Sequence, residues 1–170
     1  MAEDLADFDD FVAARSRPLL KAAWLLTGDW QRAEDLLQTA LAKAYLRWHR
    51  IQPGRQEAYV RRILVTTYAT WWRRAWKSEL PSAELPEAAT DPDAFDAVEL
   101  RRELRQALSG LSGRQRATVV LRFYFDLSEA ETAATLQCSV GTVKSQTARA
   151  LTRLRESNVL RDVREGTNPD

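Results

Sequence analysis

Midway along the chain, the stretch SELPSAELPEAATDPD, residues 78 to 93, carries prolines, small residues and acids but no repeating apolar position. A run of that kind has no side to bury and reads as a linker. It constrains the fold more than any other feature, because the segments before and after it must build separate cores. On both sides the pattern is helical. Glycine and proline are scarce and fall between periodic segments, and few runs show the apolar–polar alternation of a half-buried strand. The expectation is an all-α protein: two helical lobes joined by an acidic flexible linker. The N-terminal lobe takes residues 1–78, the linker 79–91, the C-terminal lobe 92–158 and a tail 159–170.

In the first lobe, DFDDFVAARSRPLLKAAWLLTGD puts Phe8, Phe11, Val12, Leu19, Leu20 and Ala23 at helical spacing, and Pro18 is expected to kink or restart that helix. Thr27-Gly28-Asp29 supplies a stop and a fresh N-cap. An amphipathic helix follows, with Ala33, Leu36, Leu37, Ala40, Leu41, Ala44 and Trp48 on one side. IQPGR is a loop, and a long basic helix runs from about Gln56 to Lys77. On it Val60, Ile63, Leu64, Thr67 and Trp71 form the expected core face, and Arg61, Val65, Tyr68, Trp72 and Trp76 a second stripe. In the second lobe Asp91-Pro92 opens a helix through Leu108. Ser112 with Gln115, and Ser128 with Glu131, have the capping-box spacing and head the segments RQRATVVLRFYF and EAETAATL.

Charge narrows the function. The 25 basic and 24 acidic residues nearly cancel, so the total names no partner. Their segregation does. Glu79 to Glu99 holds acids and no bases, whereas Ala58 to Lys77 and Val140 to Arg155 hold bases and no acids. Two basic patches flanking an acidic strip suggest a polyanion touched in two places. One cysteine, Cys138, excludes an internal disulfide or multi-cysteine metal cluster and fits a reducing, cytoplasmic compartment. One histidine, His49, leaves no material for a histidine metal site or catalytic triad and reads as a solvated residue near a helix end. Neither a signal-peptide layout nor the ~20-residue apolar run of a membrane span is present in the sequence. No cofactor, no metal, no membrane insertion and no enzymatic chemistry are expected.

LSEAETAATLQCSVGTVKSQTARALTRLR reads as a short helix, a three-residue turn and a longer helix, the helix-turn-helix arrangement. On the second helix Val140, Val143, Thr147, Ala150, Leu151 and Leu154 share one face and are expected to pack on the lobe. Thr142, Ser145, Gln146, Arg149 and Arg153 face the other way, with Lys144 and Ala148 at the edge. Such side chains suit base edges and phosphates in a major groove. Cys138 is expected at the buried apolar position of the turn.

The segment from Asp126 to Arg155, with SVGTVKS at its centre, resembles the promoter-reading helix-turn-helix of extracytoplasmic-function (ECF) sigma factors, initiation subunits of bacterial RNA polymerase. The resemblance runs from Phe8 to Arg155. It implies that Lys144, Ser145, Ala148 and Arg149 supply the main contacts to the minus-thirty-five element, with Gln146 where many relatives have arginine and Gln137 where glycine is common. DWQRAEDLLQTALAKAYLRW resembles the family helix that binds the polymerase clamp, which implies that Asp35 and Gln38 face core RNA polymerase. AYVRRILVTTYATWWRRAWK resembles the helix that engages the minus-ten element, implying DNA contacts from Arg61, Arg62, Thr66, Trp72, Arg73 and Arg74, with Thr66 replacing a usual asparagine. Trp72 and Trp76 could stack on an unpaired base or pack within the lobe. The implied partners are core RNA polymerase, promoter DNA and, by family habit, an anti-sigma protein. A competing reading is a free-standing helix-turn-helix regulator whose N-terminal lobe senses a ligand.

The linker length fits the first reading. About 13 extended residues reach on the order of 40 Å, and each lobe adds roughly 25–30 Å. Together they span promoter elements about two helical turns, ~70 Å, apart.

Overall fold

The computed structural model describes residues 2–78 and 95–157, the side chains of 76–78 and 95–99 excepted. Among the described residues every regular element is helical, and the chain divides into two compact units, 1–82 and 83–170. The linker 79–91, the Asp91-Pro92 cap, the Trp76 side chain and the tail 159–170 lie outside the described residues.

The first unit holds α1 (Ala2–Thr27), α2 (Trp30–Tyr45) and α3 (Gln56–Ser78). All three pack on one another. Leu19, Leu26, Leu36, Val60, Leu64 and Val65 are fully buried, and Ala22, Ala23, Ala33, Ala40 and Ala44 lie between them without exposure. Small residues at helix contacts let the axes approach closely, so the larger side chains interlock. The corner between α1 and α2 is built as its sequence requires. Gly28 takes φ 72°, its N–H donates to the Trp24 carbonyl at 2.7 Å, and the Asp29 carboxylate caps α2 by accepting from Arg32 N–H at 2.8 Å.

Three expectations for this lobe change. First, α1 runs through Pro18 without a restart. A proline inside a helix costs about 3 kcal/mol, but the residues after it bury Leu19, Ala22, Ala23, Trp24 and Leu26. Before it, the Phe8 and Phe11 rings pack on Trp48 at 4.9 and 5.1 Å. At about 1.5–3 kcal/mol per buried large side chain, burial on both sides outweighs one lost hydrogen bond. Second, Trp48 is buried but is not on the face of α2. The helix ends at Tyr45, and Trp48 opens a short 3-10 turn (Trp48–Arg50), where its indole N–H donates to Asp7 Oδ2 at 3.0 Å. Third, α3 buries a broader face than a single stripe. Val60, Leu64, Val65, Thr67 and Tyr68 are buried, while Ile63 and Trp71 are half-exposed. Packing against α1 as well as α2 widens the face, and Trp71 lies beyond Tyr68, the last buried residue among the described side chains of the helix.

The second unit holds α4 (Phe95–Ser109), α5 (Gly113–Val119), α6 (Glu129–Leu136) and α7 (Val140–Glu156). Its core gathers Leu108, Leu111, Ala117, Val120, Leu121, Leu127, Ala133, Val143 and Ala150, with Thr118 and Thr132 buried among them. Both capping boxes form. Ser112 Oγ accepts from Gln115 N–H at 3.2 Å while Gln115 Oε1 accepts from Ser112 N–H at 3.1 Å, and Ser128 and Glu131 do the same at 3.1 and 2.8 Å. The segment after Ser112 is not one α-helix. At Val120 it widens into a π-helical turn (Val120–Tyr124) closed by Phe125 N–H on the Val120 carbonyl at 3.0 Å, and Asp126 follows at φ 53°. Burial raises the Tyr124 hydroxyl pKa above its ordinary value.

Candidate nucleic-acid interface

The helix-turn-helix is α6, the turn 137–139 and α7. Gln137 takes the left-handed conformation, φ 54° and ψ 48°, that glycine enters at least cost. Cys138 N–H donates to the Ala133 carbonyl at 3.0 Å, and the Cys138 side chain is half-buried rather than in the core. Ser139 then caps α7, its Oγ accepting from Thr142 N–H at 3.1 Å and lying 2.9 Å from Thr142 Oγ1.

Only part of the expected packing face of α7 is fully buried. Val143 and Ala150 have no exposure, Thr147, Leu151 and Leu154 are half-buried, and Val140 is exposed because it stands in the first turn, ahead of the buried pair. At about 100° per residue, the face opposite Val143 and Ala150 carries Lys144, Ser145, Ala148 and Arg149, all exposed. Thr142 and Gln146 are half-buried and share one edge of the helix with Arg153. Arg153 is exposed and donates from one terminal guanidinium nitrogen to the Gly110 carbonyl at 2.9 Å. Arg122 donates to the Leu127 carbonyl and so ties the π-turn to the entry of the helix-turn-helix.

On α3 the expected DNA contacts fall into separate stripes. Arg62, Thr66 and Arg73 line the solvent side, opposite the buried face; Arg62 and Arg73 are exposed, and the Thr66 hydroxyl donates back to the Arg62 carbonyl at 2.8 Å. Arg61 and Trp72, three turns apart, occupy one flank and are both half-buried. Arg74 is exposed on the other flank. The side chains of this group therefore grade from open charge to a partly covered aromatic.

Asp35 and Gln38 are exposed on α2, above the buried Leu36 and Leu37. Tyr45 and Leu46, to which the sequence assigned no role, continue their face and are 47% and 74% exposed. The signal was present in the spacing, since Tyr45 stands seven residues past Gln38 and Leu46 eleven past Asp35, both near whole helical turns. Among the described residues no group of three His, Cys, Asp or Glu side chains could hold a metal ion, and no helix is long and apolar enough to cross a membrane.

Comparison with known proteins matches both lobes. The family model for sigma-70 region 2 covers residues 11–78, and that for sigma-70 region 4 covers residues 101–154. Neither is an enzyme family. The RNA polymerase sigma-E factor of Streptomyces coelicolor is 44% identical over 161 residues, 94% of this chain and 90% of the relative. The ECF sigma factor EcfG of Rhodopseudomonas palustris is 33% identical, across 86% of this chain and 81% of its own. Among solved structures, the sigma factor RpoE of Bartonella quintana in complex with the anti-sigma factor NepR superposes with a TM-score of 0.71 at 28% identity, over 91% of this chain and 97% of that one.

Proposed function

The chain belongs to the ECF RNA polymerase sigma factors, and from that membership we propose how its two lobes divide the work of transcription initiation. It is an initiation factor and not a free-standing regulator. The N-terminal lobe, 1–78, docks on core RNA polymerase through the exposed α2 face around Asp35 and Gln38 and meets the minus-ten element through α3. The C-terminal lobe, 92–158, lays α7 in the duplex at the minus-thirty-five element, with Lys144, Ser145, Ala148 and Arg149 toward the bases and phosphates and Thr142 and Gln146 at the margin. Arg61, Arg62, Thr66, Arg73 and Arg74 hold the downstream backbone, and the open side of Trp72 stacks on an unpaired base. The protein works in the cytoplasm and catalyses no bond change of its own. An anti-sigma protein is a further proposed partner, supported by the Bartonella relative in complex with one.

The observation that carries this reading is that region 2 and region 4 matches cover both lobes of one chain, each ending in a basic helix with exposed side chains. Magnitudes support the need for a partner. Opening DNA costs about 1.4 kcal/mol per stacking step, and stacking on an aromatic returns about 1–3 kcal/mol per base. One or two captured bases cannot hold open a bubble several pairs long, so the lobe traps strands within a larger assembly that adds contacts of its own. Reconstituted transcription with purified core polymerase and promoter DNA tests the proposal. Factor-dependent initiation is expected. Strong independent operator binding without initiation refutes it.

A further inference from the structure

We propose that Arg153 is a positioning residue that sets the angle of the reading helix, rather than a reader of DNA. The proposal rests on α7 being the promoter-reading helix. Arg153 is exposed on the same edge of α7 as the half-buried Thr142 and Gln146, one turn past Arg149 at the margin of the exposed face that Lys144, Ser145, Ala148 and Arg149 form. Its guanidinium donates to the carbonyl of Gly110, in the turn between α4 and α5, at 2.9 Å and across 43 residues of sequence. The bond joins the last turn of α7 to a different part of the lobe.

The helix needs such a tie at that end. Its start is fixed by the Ser139 cap and by the fully buried Val143. Further along, Ala150 is fully buried but offers only a methyl group, and Leu151 and Leu154 are half-buried, so packing there holds the helix less tightly. Arg149 stands six residues past Val143, about 9 Å along the axis. A swing of about 10° about Val143 would carry the Arg149 region ~1.5 Å, enough to lose hydrogen bonds whose useful range is only a few tenths of an ångström wide. A charged donor on a backbone carbonyl is the stronger sort of hydrogen bond, and its planar fork is pre-organised for one direction.

A positioning role and a phosphate contact leave different marks. Losing one phosphate contact lowers the magnitude of the slope of log affinity against log salt by roughly 1 and weakens all sequences alike. Losing a strut leaves that slope unchanged and erodes the preference for the correct bases. The experiment compares wild-type, Arg153→Ala and Arg149→Ala full chains, each joined to core polymerase, on promoter DNA with an intact or scrambled minus-thirty-five element, across a salt series. Arg153→Ala is expected to reduce the intact-to-scrambled affinity ratio about fivefold with the salt slope unchanged. A drop of about one in that slope would make Arg153 a phosphate contact and overturn the proposal. An unchanged ratio, with or without a lower melting temperature, overturns it too, since a strut that serves only the fold does not alter sequence preference. Arg149→Ala is the control on the underlying reading. If it alters neither slope nor ratio, the assignment of α7 as the reader fails, whatever Arg153 does.

Discussion

The three helices of the N-terminal lobe run 26, 16 and 23 residues, whereas α5 and α6 of the C-terminal lobe have 7 and 8. Isolated helices shorter than about 12–15 residues are marginal in water, so the two lobes must be held by different means. The first is clamped by side chains from all three helices meeting in one apolar centre. The second starts α5 and α6 with reciprocal serine caps and α7 with a further serine, and adds the ties from Arg122 to Leu127 and from Arg153 to Gly110. In the first lobe the proposed docking face and the interior are therefore separate populations of residues. In the second, on the proposed reading, several polar groups that hold the fold also aim α7. Substitutions should separate function from stability in one lobe and mix them in the other.

The largest expected effect is on the N-terminal interior. Leu36 has no exposure, and Leu36→Ala should cost about 3 kcal/mol through lost transfer energy and the cavity left behind. All six tryptophans lie in that lobe, the last at Trp76, so tryptophan fluorescence in a urea titration follows it selectively. The midpoint should fall there while amide-exchange protection in α5 to α7 stays the same. Equal loss of protection in both lobes would mean they unfold as one unit, and the comparison would fail.

A smaller effect sharpens the other side. Ser139→Ala removes the α7 cap and should cost about 1 kcal/mol of local stability. Because the cap lies one residue before the reading helix, promoter affinity should fall with it, and amide exchange should quicken in the first turn of α7. Tryptophan-monitored unfolding should not move. Lost stability with unchanged promoter affinity would show that aiming and folding are separable in this lobe after all.

Legibility in the sequence follows the same divide. The C-terminal caps were readable because a box is local: Ser112 and Gln115, or Ser128 and Glu131, carry their whole geometry within four residues. The left-handed Gln137 was legible only through the resemblance, since it stands where relatives commonly carry glycine. What depended on distant partners was not readable. The dock of Trp48 against Phe8, Phe11 and Asp7 joins residues some forty positions apart, and nothing near Pro18 says how much burial stands on each side of it. The π-turn at Val120 escaped for another reason. A helical pattern assumes 3.6 residues per turn, and one widened turn shifts every later side chain without leaving a break in the apolar run. Of the proposed reading face, Lys144, Ser145, Ala148 and Arg149 stand open as periodicity requires, but no periodicity could reveal that Arg153 is held by a carbonyl in the turn between α4 and α5.

The smallest expected change in stability tests the claim of separation most directly. Asp35 is exposed on α2; its side chain stands outside the buried row Ala33, Leu36, Leu37 and Ala40, and its backbone carbonyl accepts the Thr39 hydroxyl at 2.7 Å whatever the side chain. Asp35→Lys should therefore alter unfolding by no more than about 0.5 kcal/mol, the usual range for a surface position. On the proposed docking face it reverses a charge, and a reversed charge at an interface is costly because like charges then meet. Co-purification with core polymerase should drop sharply while the urea midpoint holds. A shift in the midpoint as large as that of Leu36→Ala would place Asp35 in the fold. Undiminished co-purification with a normal midpoint would remove it from the docking face and turn attention to Gln38, Tyr45 and Leu46, among the other exposed residues on that side.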